Sequence, residues 1–98
     1  MSVTAILDVQ FTQEGLDEGL EILRRELPRT RAFAGNRSVT VVQDHTDPTR
    51  VLAVEEWESL DADAAYREWR AGEGAITELA TLVARAPVLT VGVVRDDV

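Results

Sequence analysis

Strand-length segments that are apolar on both faces constrain this chain more than any other feature of its 98 residues. In VLAVEEW, residues 51–57, Val51 and Ala53 alternate with Leu52 and Val54. In VLTVGVV, residues 88–94, Val88 and Val94 point one way while Leu89, Val91 and Val93 point the other. Val39 and Val41 oppose Val42 in RSVTVVQDH. Burying such a side chain is worth roughly 1.5–3 kcal/mol relative to exposure, so a sheet made of these strands needs cover on both sides.

The remaining segments supply the order of elements. Val3, Ala5, Leu7, Val9 and Phe11 alternate with Thr4, Ile6, Asp8 and Gln10, which is strand periodicity. Thr12 stands where it can cap a helix whose Leu16, Leu20, Leu23 and Leu27 recur at helical spacing. Pro28 is expected to end that helix, because the residue before a proline is pushed out of the helical region. PRTRAFAGN reads as a loop, RSVTVVQDH as a second strand, Thr46-Asp47-Pro48-Thr49 as a turn and RVLAVEEW as a third strand closing a hairpin. Ser59 is the N-cap of a second helix, with Asp61 and Asp63 in its first turn, where the helix dipole favours anions. That helix is expected to reach Trp69. AGEGA interrupts it, ITELATLVARA forms a further helical segment with Ile76, Leu79, Leu82 and Val83 inward, and Pro87 precedes the final strand.

The order is β-α-β-β-α-β, an α+β chain of ferredoxin-like type with an antiparallel sheet and a broken second helix. A single domain over residues 1–98 is expected. Helices in this topology cover one sheet face only. The simplest cover for the other is a second copy packed sheet to sheet, a symmetric homodimer, with Leu89 and Val91 assigned to the interface.

Composition removes several function classes. A net charge of −8 argues against nucleic acid and anionic membranes as partners. With no cysteine there are no disulfides, thiolate nucleophiles or cysteine-based metal sites. The only histidine, His45, falls at the hairpin turn, so neither a Ser-His-Asp triad nor a metal site is expected. The AGEGA glycines follow no strand and precede no Lys-Ser/Thr, so they are a helix break, or a lid, and not a phosphate loop. No signal peptide or membrane span is read, and a cytoplasmic protein without cofactor is expected.

LDVQFTQEGLDEGLEIL, RAFAGNRSV and VLAVEEWESLDADAAY together resemble the antibiotic biosynthesis monooxygenase (ABM) domain. The resemblance implies a dimeric α+β barrel over nearly the whole chain. Its marks are a glycine after an aromatic-containing loop, here Phe33 and Gly35, and a strand-ending tryptophan followed by a helix, here Trp57-Glu58-Ser59. The family includes cofactor-independent oxygenases of polycyclic aromatic polyketides, haem-degrading enzymes and small-metabolite isomerases. In the haem-degrading branch, the positions matching Asp8, Tyr66 and Ile76 carry asparagine, tryptophan and an iron-ligating histidine. Isoleucine cannot ligate iron, so haem is set aside.

The candidate catalytic residues are Tyr66, Trp57 and Asp8, with Trp69 and Phe33 as candidate substrate contacts. Trp57 is either a core or interface plug or a wall that stacks on a flat substrate. Tyr66 either lies on the helix surface or offers its hydroxyl to a substrate oxygen. Trp69 shares its face one turn on. Asp8 is either a rim residue paired with an arginine or a proton acceptor with burial raising its pKa. The acids at 55, 56 and 58 read as a solvated strand end.

Two functions remain. One is a cofactor-independent monooxygenase of a small aromatic, such as a polyketide-like phenol or quinol, held between helices and sheet. The other is a non-oxidative dimeric barrel that binds a small metabolite, or acts as an isomerase, cyclase or accessory protein.

Overall fold

The alternation of the first segment builds β1 (Val3–Gln10), with Val3, Ala5 and Val9 buried on one face. In the computed structural model, residues 2–98 are described. There follow α1 (Leu16–Arg31), β2 (Asn36–Gln43), β3 (Arg50–Trp57), α2 (Leu60–Ala71), a 3₁₀ turn (Thr77–Thr81) and β4 (Val88–Val93). The antiparallel sheet has the order β2-β3-β1-β4, so the ferredoxin-like arrangement read from the sequence is present.

Both helices pack on the same sheet face. Leu23 and Leu27 of α1 meet Val9, Phe11, Val39 and Val51, while Tyr66 of α2 meets Val3, Ala5 and Trp57. Phe11 lies so close over α1 that a Cβ at Gly19 would stand 2.2 Å from its ring, which explains a glycine in a helix interior. Gly35 has φ +89°, a left-handed turn that delivers the chain from α1 into β2. Ser59 caps α2, its hydroxyl accepting from the Ala62 N–H at 3.1 Å.

Four expectations are corrected. Pro28 does not end α1, which runs three residues further. Thr30, fully buried, and Arg31, bonded to the Val39 carbonyl, anchor that last turn by tertiary contacts that outweigh the missing N–H. The N-cap of α1 is Gly15, and Thr12 instead caps the preceding turn, accepting from the Gly15 N–H at 2.9 Å. Residues 76–86 form no helix beyond the 3₁₀ turn, because their end is drawn into strand pairing: Thr12 N–H donates to Leu82 O and Ala84 N–H to Gln10 O. Arg85 lies 3.6 Å from Asp8.

The fourth concerns the outer face. Pairing of Val3 with Val93, Ala5 with Val91 and Leu7 with Leu89 puts these β4 side chains on the helix side. Leu89 and Val91 thus do not belong to the open face, although they stay exposed because no helix extends over β4. The open face carries Ile6, Val42, Leu52, Val54, Val88 and Val94.

Candidate functional site

A cavity of about 260 Å³ lies between the sheet and the helical layer, beneath the segment that follows α2. Leu7, Val9, Leu23, Leu27, Ile76 and Leu79 make much of its wall apolar, and Glu55, Tyr66, Arg67 and Arg70 supply its polar part. The strand period sets Ala53 and Glu55 two residues apart on the helix-facing side of β3. Helical spacing sets Tyr66 and Arg70 four apart on α2, so that Arg70 Nε donates to Tyr66 Oη at 2.7 Å.

Arg70 also donates to Glu26 Oε1 (2.9 Å), to the carbonyls of Glu26 (3.1 Å) and Gly74 (3.0 Å), and to Thr30 Oγ1 (3.0 Å). Thr30 Oγ1 is itself 2.6 Å from Tyr66 Oη. Where Thr30 donates in that pair, the Tyr66 proton is left for a bound ligand. Arg70 beside Glu26 holds its carboxyl below the usual carboxylate range, opposed by desolvation.

Glu55 is 1% exposed, so it is no part of a solvated strand end. Its Oε1 accepts from Trp57 Nε1 at 3.1 Å and from Arg67 Nη2. Arg67 also meets Asp63 Oδ1 at 3.1 Å, so two buried carboxylates share one guanidinium. Glu56 lies on the opposite face and accepts from Thr4 Oγ1, while Glu58 is exposed.

Of the residues singled out from the sequence, Tyr66 lines the cavity. Trp57 is fully buried behind it, ring centroids 5.0 Å apart, and does not reach the cavity wall. Phe33 meets Tyr66 at 5.3 Å and Trp69 at 5.6 Å, so these four rings form one cluster beside the site. Trp69 is flanked by Arg29 and Arg70 at 4.8 and 4.7 Å. Asp8 points to the other side of the sheet, away from the cavity. There it accepts from Arg50 at 2.7 Å, a bond that keeps its pKa down rather than up and makes it a poor proton acceptor. Glu55, Arg67 and Arg70 were missed. Their one signal was position: Glu55 shares the inward face of Val51, Ala53 and Trp57, and Arg70 follows Tyr66 by one turn.

The Asp8–Arg50 pair extends to Asp44 at 3.0 Å. The Thr46 N–H and hydroxyl, then Arg50, bring Asp44 from an ordinary 3.8 to about 2. A carboxyl depressed in the folded state contributes stability above its ordinary value and loses it as pH falls. The thermal midpoint is therefore expected to start falling near about pH 4 and to continue down to about pH 2. Arg50→Gln, followed by calorimetry across this range, is expected to flatten that slope.

A family model described as "Antibiotic biosynthesis monooxygenase" matches residues 2–83. The chain belongs to that family. Among solved structures, Rv0793 from Mycobacterium tuberculosis is similar with a TM-score of 0.85 at 18% identity, covering 99% of this chain and 98% of that one. A protein of Deinococcus radiodurans matches with a TM-score of 0.85 at 21% identity, covering 98% and 95%. SnoaB of Streptomyces nogalater, a cofactor-independent oxygenase, matches with a TM-score of 0.81 at 15% identity, covering 96% and 93%. At these identities the likeness of this ABM-family chain to its neighbours is one of fold. No curated protein matches it. No helix among the described residues is long and apolar enough to cross a membrane.

Proposed function

We propose that this ABM-family protein is a cofactor-independent monooxygenase that oxidises a small hydroxylated aromatic in the cavity. The observation that carries the reading is a largely apolar cavity of about 260 Å³ lined by Tyr66, whose hydroxyl is held by Arg70 at 2.7 Å. An apolar cavity of roughly 150 Å³ holds benzene, so this one suits about two fused rings and not an extended polycycle. The family name and the description of SnoaB support oxygenation as the chemistry.

In this reaction a phenol with a free para C–H loses its hydroxyl proton, and the anion passes an electron to dioxygen. The radical pair joins at the para carbon as a hydroperoxide, which loses water to leave a quinone. One oxygen atom ends in the new carbonyl and the other in water, and the substrate supplies every electron. The protein orients the ring, excludes water, and meets the developing oxyanion with the Tyr66 hydroxyl, polarised by Arg70.

Oxygen uptake with hydroxynaphthalenes, without added flavin or metal, tests the reading. Tyr66→Phe is expected to lower kcat about 10²–10³-fold, the usual loss for one oxyanion donor. It should also cost about 1–3 kcal/mol of stability, since Thr30 and Arg70 lose a buried partner. An unchanged kcat removes Tyr66 from the chemistry. Binding without uptake across the series selects the non-oxidative metabolite-binding barrel instead.

A homodimer packed through the open sheet face belongs to the same proposal. Val42, Val88 and Val94 are each about half exposed there, a loss of burial that a second copy would recover. Sedimentation at micromolar concentration is expected to give twice the chain mass, and Val54→Arg to give the monomer. A wild-type monomer refutes the dimer.

A further inference from the structure

We infer that Glu55 is the acceptor, and in turnover the base, for the hydroxyl of a neutral hydroxyarene. The role in turnover rests on the monooxygenase reading, whereas the role in binding does not.

Glu55 belongs to the cavity wall and is 99% removed from solvent, yet its hydrogen bonds are lopsided. Trp57 Nε1 and Arg67 Nη2 both reach Oε1, and Oε2 has no partner among the described residues. Among the described residues, the fully enclosed side-chain polar atoms without partners are those of Asn36, so Oε2 still touches accessible space. For a residue so deeply set, that space is the cavity. An unsatisfied carboxylate oxygen facing an apolar space calls for a donor.

The neighbouring charges say which donor. Arg67 is shared between Glu55 and Asp63, and Arg70 is matched by Glu26. A ligand carboxylate would add a third anion beside one shared guanidinium, whereas a neutral hydroxyl adds a proton directed at Oε2. Transfer of that proton leaves Glu55 neutral and the ligand anionic, its charge then facing Arg67 and the Tyr66–Arg70 pair. A plain phenol lies about six units above a carboxylate on ordinary scales, so hydroxyls acidified by a fused ring or conjugated carbonyl are the better substrates.

Calorimetric titration with three probes of matched size tests the assignment: 1-naphthol, 1-methoxynaphthalene and 1-naphthoate. The wild type is expected to bind 1-naphthol tenfold to a hundredfold more tightly than either of the others, the worth of one hydrogen bond to a charged acceptor. Glu55→Gln, which keeps an oxygen for Trp57 and Arg67 but presents an amide to the cavity, should erase that preference. Equal binding of the methyl ether, tighter binding of the naphthoate, or no binding of any probe overturns the inference. In oxygen uptake, Glu55→Gln is expected to lower kcat by about 10²–10⁴-fold with KM within a fewfold. Wild-type kcat in that variant refutes the base and leaves the monooxygenase standing. Naphthol preference without oxygen uptake refutes the monooxygenase and leaves Glu55 as the ligand's acceptor.

Discussion

Trp57→Ala is expected to lower the unfolding free energy by about 3–5 kcal/mol, as large-to-small changes at fully buried aromatic positions do. The ring is entirely enclosed, edge-on to Phe33 at 6.2 Å and tilted against Tyr66 at 5.0 Å. Its removal leaves a cavity between the start of β1 and α2 and takes a donor from Glu55. Trp57→Phe keeps most of the ring volume but leaves Glu55 with Arg67 as its remaining donor, a loss of about 1–3 kcal/mol. Because Trp57 lies behind the cavity wall, Trp57→Phe should hold ligand affinity within a fewfold while losing stability. Urea denaturation and calorimetric titration on the same protein separate the two effects. A Trp57→Ala protein less than about 1 kcal/mol destabilised would show that the ring is not packed as described.

Arg70→Ala is expected to cost a comparable 3–5 kcal/mol, roughly the penalty for leaving the partner of a buried ion pair uncompensated. The Arg70 side chain is 12% exposed and that of Glu26 10%, so solvent screens little of the loss. The other partners of Glu26, Arg25 and Arg29, are both about half exposed and hold it less firmly. Arg70→Lys retains a cation for Glu26 but not the fork that spans Tyr66, Thr30 and two carbonyls. It should recover part of the stability and little of the turnover. Full recovery of both by lysine would mean that charge alone, and not the geometry imposed on Tyr66, is what Arg70 contributes.

Much of the fold was legible because its signals are local. Alternation in residues 3–10 and 50–57, leucines at helical spacing in α1 and the Ser59 cap each state their element within a few residues. The errors fall where a distant partner decides. Pro28 sits inside a helix because Thr30 and Arg31 find partners on α2 and β2. Residues 82–84 look helical, yet their backbone groups pair with the end of β1. The faces of β4 depended on its register against β1, and a shift of one residue exchanges them.

The candidate site divides in the same way. Tyr66 was found because an aromatic in mid-helix is conspicuous in any sequence. Glu55 was not, because one more acid in a chain of 18 acidic residues looks solvated until its neighbours are known. By itself, then, the sequence determined the order of elements and the family, since periodicity, caps and motifs act over short separations. The tertiary structure alone decided which polar groups are enclosed and which stay wet. Burial of Glu55 is stabilised by Arg67 from α2 and by the Trp57 indole, and no local pattern announces a charge whose counter-ion lies twelve residues away.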